Sequence, residues 1–222
     1  MNRDKERKME DTNVRRNVGT VILLGAVWGL SECLLGAALH ACASSISGSV
    51  MTGVAFFFIA AAWASGRKAW SAALIVAIAV LFKMFDAILL SLALKNGAIA
   101  NPVFAFILEG GAFIVLAVIL KEAWKRRTDG RAVWGGTAAF VSAAAFPLVK
   151  FATGTAACLV PGTTTPLSWY YAILAVGISL LTVPLGLRAG EKMREHVKWA
   201  GLPAPAIAVA LSLALMILFR RL

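Results

Sequence analysis

The chain has 222 residues, 60% of them hydrophobic and only 15% charged, with a mean hydropathy of +0.81. Too little polar surface remains to cover one large or two small soluble domains, so the chain reads as a membrane protein. The net charge of +11 would elsewhere suggest nucleic acid, and the positions of the charges decide between the two readings.

A spanning helix needs about 20 mostly apolar residues. Residues 1–18, opening MNRDKERKMEDTNVRRN, mix both signs of charge with almost no apolar side chains, which predicts a cytoplasmic N-terminal extension. A signal peptide is excluded, because the apolar segment that follows is too long and too polar in its middle. Apolar segments then run over 19–40, 47–64, 69–94, 102–120, 133–158, 167–187 and 203–219. They are continuous and rich in Ala and Leu, without the alternation of barrel strands. The expectation is an all-α polytopic integral membrane bundle, a single transmembrane domain over 19–222 with connections too short to hold a soluble one.

The basic residues fix an orientation. The N-terminal segment carries six, and the successive connections carry none, two (Arg67, Lys68), one (Lys95), five (Lys121 to Arg131), none and four (Arg188 to Lys198). Under the positive-inside rule this alternation predicts a multi-pass protein of the cell membrane, its N-terminus cytoplasmic and the loops near 41–46, 95–101 and 159–166 outside. Only the last segment strains the scheme, because a seventh crossing leaves Arg220 and Arg221 outside and Pro203 and Pro205 weaken its start. Two arrangements stay open: seven helices with two arginines at the outer interface, or six with a C-terminal hairpin or surface segment. The cytoplasmic segments hold 17 of the 22 basic residues, so the charge is mostly topology and no nucleic-acid partner is expected.

Trp63, Trp70, Trp124, Trp134, Trp169 and Trp199 fall near predicted helix ends, where an indole anchors at the interface. Gly25, Gly29, Cys33 and Ala37 make a small-residue stripe on the first helix, and Ala60, Ala61, Ala62 and Ala64 crowd the second; both suit close helix packing, within the chain or against a partner. The strings LLGAALHACASSISGSVMTGVAFFF and KFATGTAACLVPGTTTPLSWYYAIL echo one another, each a helix end, an Ala-Cys step and a polar turn leading into an aromatic helix.

Five charged residues lie inside the apolar segments: Glu32, Lys83, Asp86, Glu109 and Lys150. Each costs at least about 2.5–3.5 kcal/mol near mid-bilayer, so each needs a reason. Counted at about 1.5 Å per residue from the predicted outer helix ends, all five fall roughly 10–16 Å deep, in one layer on the outer side. One polar cavity open to the outside would produce such a layer, and so would a buried ion-pair network. Lys83 and Asp86, three apart, can pair on one helix face, leaving Glu32, Glu109 and Lys150 to find partners across helices or in a ligand. Gly110 and Gly111 allow close approach beside Glu109, and Pro147, Thr153 and Thr155 surround Lys150 with polar groups. Trp28, one turn from Glu32 and far from either interface, is a candidate floor for a ring-shaped or cationic ligand.

The remaining chemistry is thin. His40 at the outer mouth suits interfacial capping or ligand contact, and no metal-ligand spacing supports a metal site with Glu32, Asp86 and Glu109. Cys42 and Cys158 both fall at outer helix ends, which allows a disulfide without requiring one. No phosphate-binding G-x-x-x-x-G-K-[ST] occurs, and neither Ser47 nor Ser65 has a His or Asp placed to activate it. Neither enzyme activity nor a cofactor is expected.

The layout and the strings GAVWGLSECLLGAALH, SGSVMTGVAFFF, LFKMFDA and FAFILEGG resemble the substrate-capture subunits (S components) of energy-coupling factor transporters, in particular a poorly characterised prokaryotic group. The similarity covers most of the first 120 residues and is diffuse beyond. It implies a small-molecule substrate, docking to a membrane coupling subunit through a small-residue face of the first helix, and two shared ATP-binding subunits. Gly25, Gly29 and Cys33 stand where members often carry alanines, and seven helices exceed the commoner six. The expected function is a substrate-binding membrane subunit of a prokaryotic uptake transporter, holding a small polar metabolite or vitamin-like molecule with Trp28, Glu32, Lys83, Asp86, Glu109 and Lys150. The alternatives are a stand-alone ion- or proton-coupled transporter or channel using the carboxylates as a relay, and an intramembrane enzyme using Glu32 and Glu109 as a pair.

Overall fold

A computed structural model describes residues 3–40, 44–66, 69–120, 126–152, 159–160, 162–196 and 203–221, with the side chains of 3–16, 36–40, 44–45, 149–150, 152, 196 and 221 outside the description. Among the described residues seven helices follow in order: α1 (Arg3–His40), α2 (Ser44–Gly66), α3 (Ala69–Leu89), α4 (Gly97–Ile119), α5 (Thr128–Ala152), α6 (Leu167–His196) and α7 (Pro203–Arg221). The expected all-α bundle is present. Six of these helices, all but α5, are long and apolar enough to cross a membrane, which makes the chain a multi-pass membrane protein. The helix outside this set is the Ala- and Gly-rich α5, whereas the C-terminal α7, the doubtful one in the sequence, is within it.

Three boundaries moved for identifiable reasons. The charged N-terminal segment continues the first helix back to Arg3. Helix α3 stops at Leu89, short of 94, in a Schellman turn: Ser91 adopts φ 51°, its N–H donates to the Ile88 carbonyl (3.1 Å), and that of Leu92 donates to Ala87 (2.9 Å). Helix α4 starts at Gly97 instead of Pro102, because the Asn96 side chain caps it by accepting from the Ala98 N–H at 2.9 Å.

Close approach between helices follows the small residues. Helix α2 packs most extensively on α6: a Cβ at Gly190 would meet the Ala61 carbonyl, and one at Gly186 the Phe57 carbonyl and the Ala60 methyl. Ala60, Ala61 and Ala64 thus face Gly186 and Gly190, and this crossing needs glycine because backbone meets backbone. The α1 stripe is also internal. A Cβ at Gly25 would lie 2.7 Å from Ile78 Cγ2, one at Gly29 would strike the Phe82 ring, and Cys33 is buried with Phe82 and Met216. The Gly25–Gly29–Cys33 face is therefore covered by α3 and α7.

An aromatic core fills the bundle. Phe113 and Trp134 stack at 4.2 Å, Trp63 meets both edge-on at 5.9 Å, and the Trp134 indole N–H donates to the Phe113 carbonyl at 3.2 Å. Trp134, expected at an interface, is instead only 1% exposed. Trp70 and Trp169 are exposed as anchors should be, while Trp124 and Trp199 lie outside the described residues.

Candidate functional site

The C-terminal ends of α1, α3, α5 and α7 and the N-terminal ends of α2, α4 and α6 come together at one end of the bundle. There the helices part around a cavity of about 580 Å³. Every helix contributes: Glu32 from α1; Ser47, Gly48, Met51 and Thr52 from α2; Lys83 and Asp86 from α3; Asn101, Phe106 and Glu109 from α4; Phe146 and Pro147 from α5; Ser168 and Tyr171 from α6; Arg220 from α7. The two echoing sequence segments meet here, as Ser47, Gly48, Met51 and Thr52 line the cavity next to Pro166, Leu167, Ser168 and Tyr171, and the Ser49 hydroxyl donates to the Tyr171 carbonyl at 3.1 Å.

At the rim, Asp86 is held by two cations. Lys83 Nζ lies 3.1 Å from Oδ2, the within-helix pair the spacing allows. Arg220 adds a fork, Nε to Oδ1 at 2.9 Å and Nη2 to Oδ2 at 3.0 Å. Asp86 is only 1% exposed, so these charge-assisted bonds stand in a low dielectric. Arg220, in the last turn of α7, ties α7 to α3 and joins the polar set.

The other two carboxylates are differently placed. Glu32 is 6% and Glu109 3% exposed, and each keeps one carboxylate oxygen (Oε1 and Oε2) without a hydrogen-bond partner. Thr52 lines the cavity together with both glutamates. Lys83 and Asp86 act on Glu32 through space, and the Trp28 indole N–H lies beside it without completing hydrogen-bond geometry.

Of the six expected site residues, Glu32, Lys83, Asp86 and Glu109 line one cavity. Trp28 does not: it is fully buried, edge-on to Phe106 at 5.0 Å and stacked on Phe58 at 6.2 Å, so Phe106 forms the wall and Trp28 stands behind it. Lys150 belongs to the last turn of α5, just beyond Phe146 and Pro147, and its side chain lies outside the described residues, as do those of His40, Cys42 and Cys158. No group of three or more His, Cys, Asp and Glu residues able to hold a metal occurs among the described residues.

The single layer becomes a slope once the helix ends are known. Along their own helices, Asp86 sits roughly 5 Å and Lys83 roughly 9 Å from the end of α3, Glu32 roughly 12 Å from the end of α1, and Glu109 roughly 18 Å from the start of α4. The change comes from the early stop at Leu89 and the early start at Gly97.

Sequence reasoning missed Arg220, Thr52, Phe106, Ser168 and Tyr171. A signal for Arg220 was present, since it falls on the same side of the bundle as Asp86 and the apolar segments hold more carboxylates than lysines. Uncharged wall residues such as Phe106 and Tyr171 give none, because apolar and aromatic side chains are ordinary in any membrane helix. Comparison of the chain with protein-family models, curated proteins and solved structures finds no match.

Proposed function

We propose that this chain is the substrate-binding membrane subunit of a prokaryotic uptake transporter, of the energy-coupling factor S-component class. It would reside in the cell membrane with its N-terminus cytoplasmic and capture a small polar metabolite from the outer side. The observation that carries the reading is the cavity of about 580 Å³, built by all seven helices at one end of the bundle and lined by five charged side chains, Glu32, Lys83, Asp86, Glu109 and Arg220. Its volume suits a small organic ligand. Charges would not be kept in such a place without use, given the cost of each in an apolar bundle.

The cavity is one-sided. Behind Phe106, the Trp28–Phe58 and Phe113–Trp134 aromatic layers occupy the interior. That favours capture followed by reorientation over a continuous ion path. The sequence carries no phosphate-binding loop, so energy would come from partners, a membrane coupling subunit with two ATP-binding subunits. With Gly25 and Gly29 covered by α3, these partners would use another face of the bundle.

The test is a small-molecule thermal-shift screen on detergent-purified protein, with Glu32→Gln and Lys150→Met as controls. A ligand whose stabilisation is lost in Glu32→Gln is the expected result. Stabilisation by no small molecule, or by one indifferent to both substitutions, removes the reading.

A further inference from the structure

We infer that the cavity selects an organic cation, a protonated amine or amidinium attached to a small apolar or aromatic body; this rests on the capture reading above. The charges lining it among the described residues are three carboxylates, Glu32, Asp86 and Glu109, against two cations, Lys83 and Arg220. The two cations are not shared evenly. Both bond Asp86, with Arg220 occupying both of its oxygens and Lys83 one of them. Glu32 and Glu109 are left, each more than nine-tenths buried on the cavity wall and each with a carboxylate oxygen that no hydrogen-bond donor meets.

A buried carboxylate lacking a donor is costly, and the cost is relieved by a ligand that brings N–H groups and positive charge. The Ser168 hydroxyl, also buried on this wall, is unpartnered too and can accept from the same ligand. Phe106, one turn before Glu109, offers a ring for a cation or for an attached apolar body, and the Trp28 ring edge-on behind it keeps that ring fixed. A bare metal ion fits poorly. The space is far larger than an ion needs, and the described residues bring no three metal-ligating side chains together. Among the described residues an anion fits worse, since both lining cations, Lys83 and Arg220, are already committed to Asp86.

The test uses three molecules of nearly one shape: benzamidinium, benzamide and benzoate. They are accompanied by the longer cations tyramine and agmatine and by 4-hydroxyphenylacetate as an anionic counterpart to tyramine. Binding is read by thermal shift and by calorimetry on the purified full chain. At least one cation is expected to bind about tenfold or more tightly than its neutral or anionic counterpart, and Glu109→Gln and Glu32→Gln are each expected to weaken it by a similar factor. Both variants are isosteric and uncharged, and an unchanged unfolding midpoint without ligand shows that they fold. Preference for benzamide, benzoate or 4-hydroxyphenylacetate overturns the inference and leaves the capture reading standing. Binding of no cation also overturns it, and co-purification with a coupling subunit then decides whether the capture reading falls as well.

Discussion

Arg220 and Asp86, 134 positions apart in sequence, form a two-point ion pair that closes α7 onto α3, with contacts of 2.9 and 3.0 Å. Lys83 shares the same carboxylate at 3.1 Å, so one buried side chain bonds two cations. Removing Asp86 leaves both without a partner. Asp86→Asn is expected to destabilise the protein by about 3–5 kcal/mol, the cost of an unpaired buried charge. Arg220→Lys keeps the charge but not the fork, and should cost less than Asp86→Asn. Unfolding midpoints in detergent check the order, and an Arg220→Lys midpoint equal to the parent's would show that the fork contributes nothing.

The α2–α6 crossing makes a second prediction. Gly190 sits on the Ala61 carbonyl, so Gly190→Ala forces the backbones apart and is expected to destabilise by about 1–3 kcal/mol. Gly177, on the same helix, has nothing within 4 Å of an added Cβ, and Gly177→Ala should stabilise by about 0.5–1 kcal/mol through helix propensity. The two substitutions should therefore shift the unfolding midpoint in opposite directions.

Two tryptophans that look alike in sequence should behave differently. Trp134 is buried, stacked on Phe113 and hydrogen-bonded to its carbonyl, so Trp134→Ala is expected to cost about 3–5 kcal/mol. Trp169 is 53% exposed, and its replacement by Ala should fall within about 0.5 kcal/mol of the parent. Comparable losses from both would place Trp134 at an interface after all.

Ser91 holds a left-handed backbone, φ 51°, at the end of α3. Ser91→Gly removes the crowding of its Cβ and is expected to stabilise by about 0.5–1 kcal/mol, read by the same unfolding measurement.

What the sequence made legible were the features carried by long averages and by rare residues. Apolar segments over 20 residues gave seven helices, and charges inside them picked out Glu32, Lys83, Asp86 and Glu109, which line one cavity. Ends decided by a single residue were not legible. Ser91 does the work usually given to glycine at the close of α3, and Asn96 caps α4 six residues ahead of the proline that seemed to start it. Polar helix extensions were missed too. Helix α6 runs beyond 187 to His196 because Gly190 packs on Ala61 and Glu191 pairs with Arg131 at 2.7 Å, contacts that hydropathy does not record. The Arg220–Asp86 pair was not legible either, because it depends on where α7 stands, a tertiary fact.

If the chain captures solute for partners that supply the energy, those partners should accompany the tagged chain when it is purified from its native membrane. A polytopic coupling protein together with ATP-binding subunits is the expected result. Purification of the chain alone, with solute flux into liposomes that contain nothing else, would contradict it.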